Sequence, residues 1–271
     1  MPRAHRHFVP GHIWHFTHRC HNRDFLFEEP AARIEWLSWL RKAQKRFRLP
    51  VLGYCVTCNH IHLLAQDPGI RNALWRSMQL IQGQTAQSHN RRTKRKNAFW
   101  GDRYHATAVE SGVHLRRCLA YIDLNMVRAG LVSHPEDWPE CSYNEICDTR
   151  LRSPFVDRHR LAGLLGCSSV EELAELHRAT IKEALQEEVL LRDDRWTEPL
   201  AVGGRNFVET FAAALADKLK GRQIREEPHA GINAGFALRE ARCGYGERAE
   251  KMFSLQGKNL VQWEEPRLYF T

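Results

Sequence analysis

VLGYCVTCNHIHLLAQ, residues 51–66, opens on a run of apolar and β-branched side chains, Val51–Thr57, and closes on a second, His60–Gln66, with Cys58-Asn59 as a tight connection between them. Two short strands joined in this way make a hairpin. Side chains alternate across a strand, so His60, His62 and Leu64 share one face while Ile61 and Leu63 share the other. The apolar pair is expected to turn to the core. The two imidazoles then stand with their Cα atoms about 6.5–7 Å apart, close enough for both rings to reach one divalent ion.

Upstream of the hairpin, Pro50 breaks a stretch, Pro30 to Arg48, in which Ile34, Leu37, Leu40, Ala43 and Phe47 recur at helical spacing. Before that, Gly11 to Cys20 is β-rich in type. Downstream, helical character returns from about Ile70 to His89 (Leu74, Met78, Ile81), Tyr104–Glu110 reads as a strand, and Leu115–Ala129 as a helix closed by Gly130 in the usual C-terminal cap position. The order β-α-β-β-α-β-α predicts an α+β fold: a ferredoxin-like antiparallel sheet (β-α-β-β-α-β) with one added helix, which carries Tyr121. Beyond about Pro139 the texture changes to helical segments, Leu161–Leu165, Val170–Leu191 and, after Gly203-Gly204, Phe207–Leu219, with a Gly-, Arg- and Glu-rich tail. The expected division is residues 8–150 as the functional domain and 151–271 as a mainly helical accessory region without a readable chemical signature.

Charge follows the same division. Residues 1–128 hold 21 Lys+Arg against 8 Asp+Glu, a net +13, whereas residues 151–271 hold 18 against 19, a net −1. A positive field confined to one domain is the footprint of a polyanion binder. No apolar run approaches the roughly 18 residues that cross a bilayer, and the N-terminus lacks a signal-like apolar stretch, so a cytoplasmic, nucleoid-associated protein is expected. The eight cysteines are scattered rather than regularly spaced. Cys55-x-x-Cys58 lacks the second pair that structural zinc normally needs and reads as packing.

On the Leu115–Ala129 helix, Leu115, Leu119, Ile122 and Met126 form one stripe at about 100° per residue. Tyr121 and Asn125, four apart, lie on its flank beside Arg117 and Arg128. If that helix covers the open sheet face, the Asn125 amide oxygen can join His60 and His62 around a metal, and the Tyr121 phenol becomes a nucleophile. A phenol with its ordinary pKa of about 10 needs help, which a metal polarising a phosphate supplies. The run Arg91, Arg92, Thr93, Lys94, Arg95, Lys96 precedes Phe99-Trp100 and Arg103; cations interleaved with aromatics suit single-stranded nucleic acid. His12, His15, His18 and His21, three apart, alternate faces on a strand and read as surface or packing residues rather than one metal site.

Taken together, the segments at residues 15–23, 54–64, 99–105 and 121–132 resemble, in order and spacing, the single-tyrosine HUH transposases, IS200-like, and within them the REP-associated tyrosine transposases. The resemblance is strong over residues 8–150 and weaker over 203–220. It implies a metal-dependent single-stranded DNA endonuclease and strand transferase that binds a DNA hairpin and cuts beside it. By the family pattern His60 and His62 hold Mg²⁺ or Mn²⁺, to which the helix-face reading adds Asn125, and Tyr121 becomes linked to the 5′-phosphate while a 3′-OH is released. Arg91, Arg92, Lys94, Arg95, Lys96, Arg103, Arg117 and Arg128 are the expected DNA contacts, and a homodimer is compatible with the pattern. Insertion-sequence relatives often carry Gln four residues after the tyrosine; Asn125 is one methylene shorter. A hairpin-binding protein without cleavage, and a rolling-circle replication or conjugation initiator using the same chemistry, are the rival readings.

Overall fold

The computed structural model describes residues 9–186, 193–215, 222–227 and 235–240. Strands and helices follow in the order β1 (Ile13–Arg19), α1 (Pro30–Phe47), β2 (Val51–Val56), β3 (His60–Gln66), α2 (Ala73–Thr93), β4 (His105–Val109) and α3 (Val113–Asp123). Next come α4 (Asn125–Arg128), α5 (Ser142–Cys147), α6 (Arg158–Leu165), α7 (Val170–Gln186), β5 (Ala201–Gly203), α8 (Arg205–Ala214), β6 (Arg222–Glu227) and β7 (Gly235–Glu240). The fold is mixed α/β, with one sheet in the order β2-β3-β1-β4-β5-β7-β6.

The first four strands pair antiparallel: β3 lies between β2 and β1, and β1 between β3 and β4. The register sets Thr17 opposite both His62 and His105, and His15 opposite Leu64 and Thr107. Directly opposed residues share a face, so His62, Thr17 and His15 point the same way. On the other face Ile61, Leu63 and Phe16 are fully buried. Trp100 stacks on His18 of that face and donates its indole N–H to the Gln82 carbonyl of α2, against which α1 packs.

The face of His62 is covered at one end by α3. Gly53 on β2 admits that contact: a Cβ there would come within 2.5 Å of Leu119 Cδ1. Behind α3 a buried carboxylate, Asp123, accepts hydrogen bonds from Ser142 Oγ on α5 (2.7 Å), Cys141 Sγ (3.0 Å) and His177 Nε2 on α7 (2.7 Å). A buried charge persists only where such partners surround it. α3 is thereby fastened to the helices that follow it.

One expectation needs correction, and the C-terminal region holds strands that periodicity did not show. Leu115–Ala129 is not one helix: α3 ends at Asp123, Leu124 (φ −78°, ψ 5°) makes the break, and α4 starts at Asn125. Asn125 therefore has its position from the break as well as from helical periodicity. The described part of the C-terminal region is helical in α6, α7 and α8, and it also adds strands to the sheet: β5 pairs parallel with β4 and is followed by β7 and β6. Periodicity missed β5 because a three-residue strand of Ala-Val-Gly carries no alternation. Residues 187–191 and 216–219, expected to be helical, lie outside the described residues, as does most of the tail. Among the described residues no helix is long and apolar enough to cross a membrane.

Candidate active site

The connection between β2 and β3 builds the first half of the site. Thr57 Oγ1 accepts the backbone N–H of His60 (3.0 Å), and the Asn59 side-chain amide donates to the Arg23 carbonyl (3.2 Å). That second bond turns Asn59 Oδ1 toward His60, whose Nδ1 lies 2.7 Å away. A carboxamide oxygen only accepts, so His60 Nδ1 carries the proton and Nε2 keeps its lone pair.

His62 reaches the same state by a longer route. The Trp196 carbonyl is 2.7 Å from His15 Nδ1, and His15 Nε2 is 2.9 Å from His62 Nδ1. Since a carbonyl only accepts, His15 donates from Nδ1 and accepts at Nε2, and His62 donates from Nδ1. His62 Nε2 is left as an acceptor, and Asn125 Nδ2 donates to it at 2.9 Å. Burial first, and then the nearby His60 and His15, hold His62 well below the ordinary imidazole pKa. His15 is pushed down to about 3, by burial and against the Trp196 hydrogen bond. Both rings are neutral at pH 7, the form in which imidazole ligates metal.

The His60 and His62 rings lie with centroids 5.0 Å apart. Tyr121 sits edge-on to His62 at 5.8 Å, with the Trp196 ring 6.4 Å away. Arg128 stands over the Tyr121 ring at 4.2 Å and donates to the Tyr121 carbonyl at 2.6 Å. This cation–π contact and hydrogen bond fix the ring across the Leu124 break.

His60, His62, Tyr121 and Asn125 all line one cleft of about 660 Å³, together with Arg19, Arg23, Arg103 and Arg128. Asp102 and Glu198 are its acidic members, and Glu198 is ion-paired to Arg239 (3.0 Å). Four guanidiniums against two carboxylates favour a phosphate-bearing ligand. The donor set is mixed, two imidazole nitrogens and an amide oxygen, and its spacing suits a small divalent ion: two ligands at about 2.1 Å and right angles are about 3 Å apart, close to the 2.9 Å between His62 Nε2 and the Asn125 amide. A half-turn of that amide brings its oxygen to the same place.

Of the expected DNA contacts, Arg103 and Arg128 line the cleft, whereas Arg117 does not. Arg91, Lys94 and Lys96 are exposed. Arg92 is ion-paired with Glu35, and Arg95 with Asp24 at 3.0 Å. Sequence reasoning missed Arg19, Arg23, His105 and Trp196, and it set His15 aside as packing. The available signal was parity: His15 and Thr17 share a face of β1, which the hairpin order makes the neighbour of β3.

Residues 8–125 match the family model described as "Transposase IS200 like". A REP-associated tyrosine transposase of Haemophilus influenzae is 26% identical over 153 residues, 53% of this chain and 86% of that protein. A solved REP-associated tyrosine transposase bound to a REP hairpin is similar at 20% identity and a TM-score of 0.45, covering 57% of this chain and 90% of the other. A transposase structure from Deinococcus radiodurans is similar at 14% identity and a TM-score of 0.32, over 48% of this chain and 97% of the other. Residues 8–125, less than half of the chain, are thus similar to the IS200-like transposases, and the Haemophilus influenzae relative is a REP-associated tyrosine transposase.

Proposed function

We propose that the chain is a metal-dependent single-stranded DNA endonuclease and strand transferase, with Tyr121 as the nucleophile. The observation that carries this is that His60 and His62, each with Nδ1 as the donor, line one arginine-rich cleft with Asn125 and Tyr121. The four antiparallel strands in the order β2-β3-β1-β4, crossed over by α1 and α2, support the ferredoxin-like reading of residues 8–150.

His60 and His62, with the Asn125 oxygen, would hold Mg²⁺ or Mn²⁺, which when bound neutralises and polarises the scissile phosphate. Arg19, Arg23 and Arg103 orient the flanking phosphates, each as a fixed cation. Tyr121 forms an Oη–P bond to the 5′-phosphate as the P–O3′ bond breaks; the phenol loses a proton and the released 3′-oxygen gains one. A strand's 3′-OH attacking the same phosphorus reverses the step and transfers the strand. The substrate is a DNA hairpin with a single-stranded flank, a reading supported by the relationship to REP-associated transposases. Exposed Arg91, Lys94 and Lys96 at the end of α2 suit its backbone.

The test is incubation with hairpin DNA bearing a single-stranded flank and Mn²⁺, followed by denaturing electrophoresis. A protein–DNA adduct is expected from the parent, none from Tyr121→Phe, and none after chelation. An adduct of parental yield from Tyr121→Phe removes the nucleophile assignment.

A further inference from the structure

The ligand face of His62 is not set by its own strand alone. Its Nδ1 is engaged by His15, the His15 ring stacks on it at 5.1 Å and 14°, and the opposite nitrogen of His15 is engaged by the carbonyl of Trp196. His15 is wholly buried, on the face of β1 that also carries Thr17 and Arg19, but it is not among the residues that line the cleft. Trp196 lies 181 residues away in sequence.

The segment carrying Trp196 is fastened at several points. Asp193 caps its short turn by accepting from Arg195 N (3.1 Å). Thr107 Oγ1 on β4 donates to the Pro199 carbonyl (2.8 Å), and Arg239 on β7 pairs with Glu198 (3.0 Å) and Asp194 (3.4 Å). A carbonyl so held has one chemical capacity, to accept, and it passes that constraint along the two rings.

We propose that His15, oriented by the Trp196 carbonyl, is the positioning residue for His62: it selects the tautomer that presents Nε2 to a divalent ion. Residues beyond 150 thus complete the metal site through a hydrogen-bond relay. The inference rests on the metal reading given under Proposed function. A ring that served only to fill space could be replaced by another ring, whereas a relay needs an acceptor toward His62 and a donor toward Trp196. Glutamine has both on one amide and phenylalanine has neither.

Two measurements on the full chain without DNA test this. Nitrogen-15 spectra of the metal-free parent report the tautomer of His62, and Nδ1 protonation is expected. Calorimetric titration with Mn²⁺ is expected to give His15→Gln an affinity near the parent's and to leave His15→Phe about 10- to 100-fold weaker. Parental affinity in a folded His15→Phe, or an Nε2-protonated His62 in the parent, overturns the relay. If His15→Phe does not fold, the parent spectrum decides. A parent without Mn²⁺ affinity overturns the metal reading itself, which separates that failure from this one.

Discussion

The cleft has two walls held by different physics. The strand wall, β1 and β3, sets its histidines through sheet register and short hydrogen bonds to Asn59 and His15. The helix wall, α3 and α4, carries Tyr121 and Asn125 on either side of the break at Leu124. It is anchored from behind by Asp123 and tied across the break by Arg128. Alternation alone decides which face a strand residue takes. A helix residue next to a break is aimed by whatever holds the two pieces.

The largest expected effect strikes the helix wall. Asp123→Ala leaves His177 and Ser142 buried without their acceptor and is expected to cost about 3–5 kcal/mol in chemical denaturation. Thr57→Val, on the strand wall, removes a buried hydroxyl whose partner His60 stays partly exposed, and is expected to cost about 1 kcal/mol. Equal losses would erase the contrast between the walls.

Acid should strike the strand wall next. The pKa of His15 in the fold is depressed to about 3, below the ordinary value of about 6.5 in the unfolded chain. For a base this means that the unfolded state takes up a proton first as pH falls. Stability is therefore full above about pH 6.5 and falls toward about pH 3, by up to about 1.4 kcal/mol per pH unit from this ring. His62, also depressed, acts in the same direction. Unfolding followed against pH should show a shallower slope for His15→Gln, and an unchanged slope would mean that the ring is not buried neutral.

Asn125 tests how much the break matters to the ligand set. Asn125→Ala is expected to weaken Mn²⁺ binding about tenfold, while His60→Ala with His62→Ala removes binding altogether. Parental affinity in Asn125→Ala would confine the metal to the strand wall.

The smallest effect belongs to the basic run outside both walls. Each of Lys94→Ala and Lys96→Ala should reduce the log–log salt dependence of hairpin binding by about 0.7–0.9. Arg92→Ala should change it less, because Glu35 already neutralises that guanidinium. The basic run at residues 91–96 thus overstates the charge offered to DNA, since sequence spacing does not reveal that Glu35 and Asp24 fold back against it.

Much of the strand wall was legible in the sequence. β3 begins at His60 and ends at Gln66 as the alternation of apolar and polar side chains implies, and Ile61 and Leu63 turn inward. Tyr121 and Asn125 also meet His62 in the cleft, though across a break that a continuous apolar stripe conceals. A stripe continues through a one-residue kink because it records which side is buried and not whether the axis is straight.

By itself, then, the sequence determined the order of elements around the hairpin, the face of β3 that carries His60 and His62, and the concentration of positive charge in the first half. These depend on neighbours within a few residues, where periodicity and turn chemistry act. Tertiary structure alone decided that His15 stands behind His62, that Trp196 returns to orient it, and that β5, β7 and β6 join the same sheet. Those contacts pair residues tens to nearly two hundred positions apart, and a hydrogen bond is set by distance and angle in space, which no local pattern encodes.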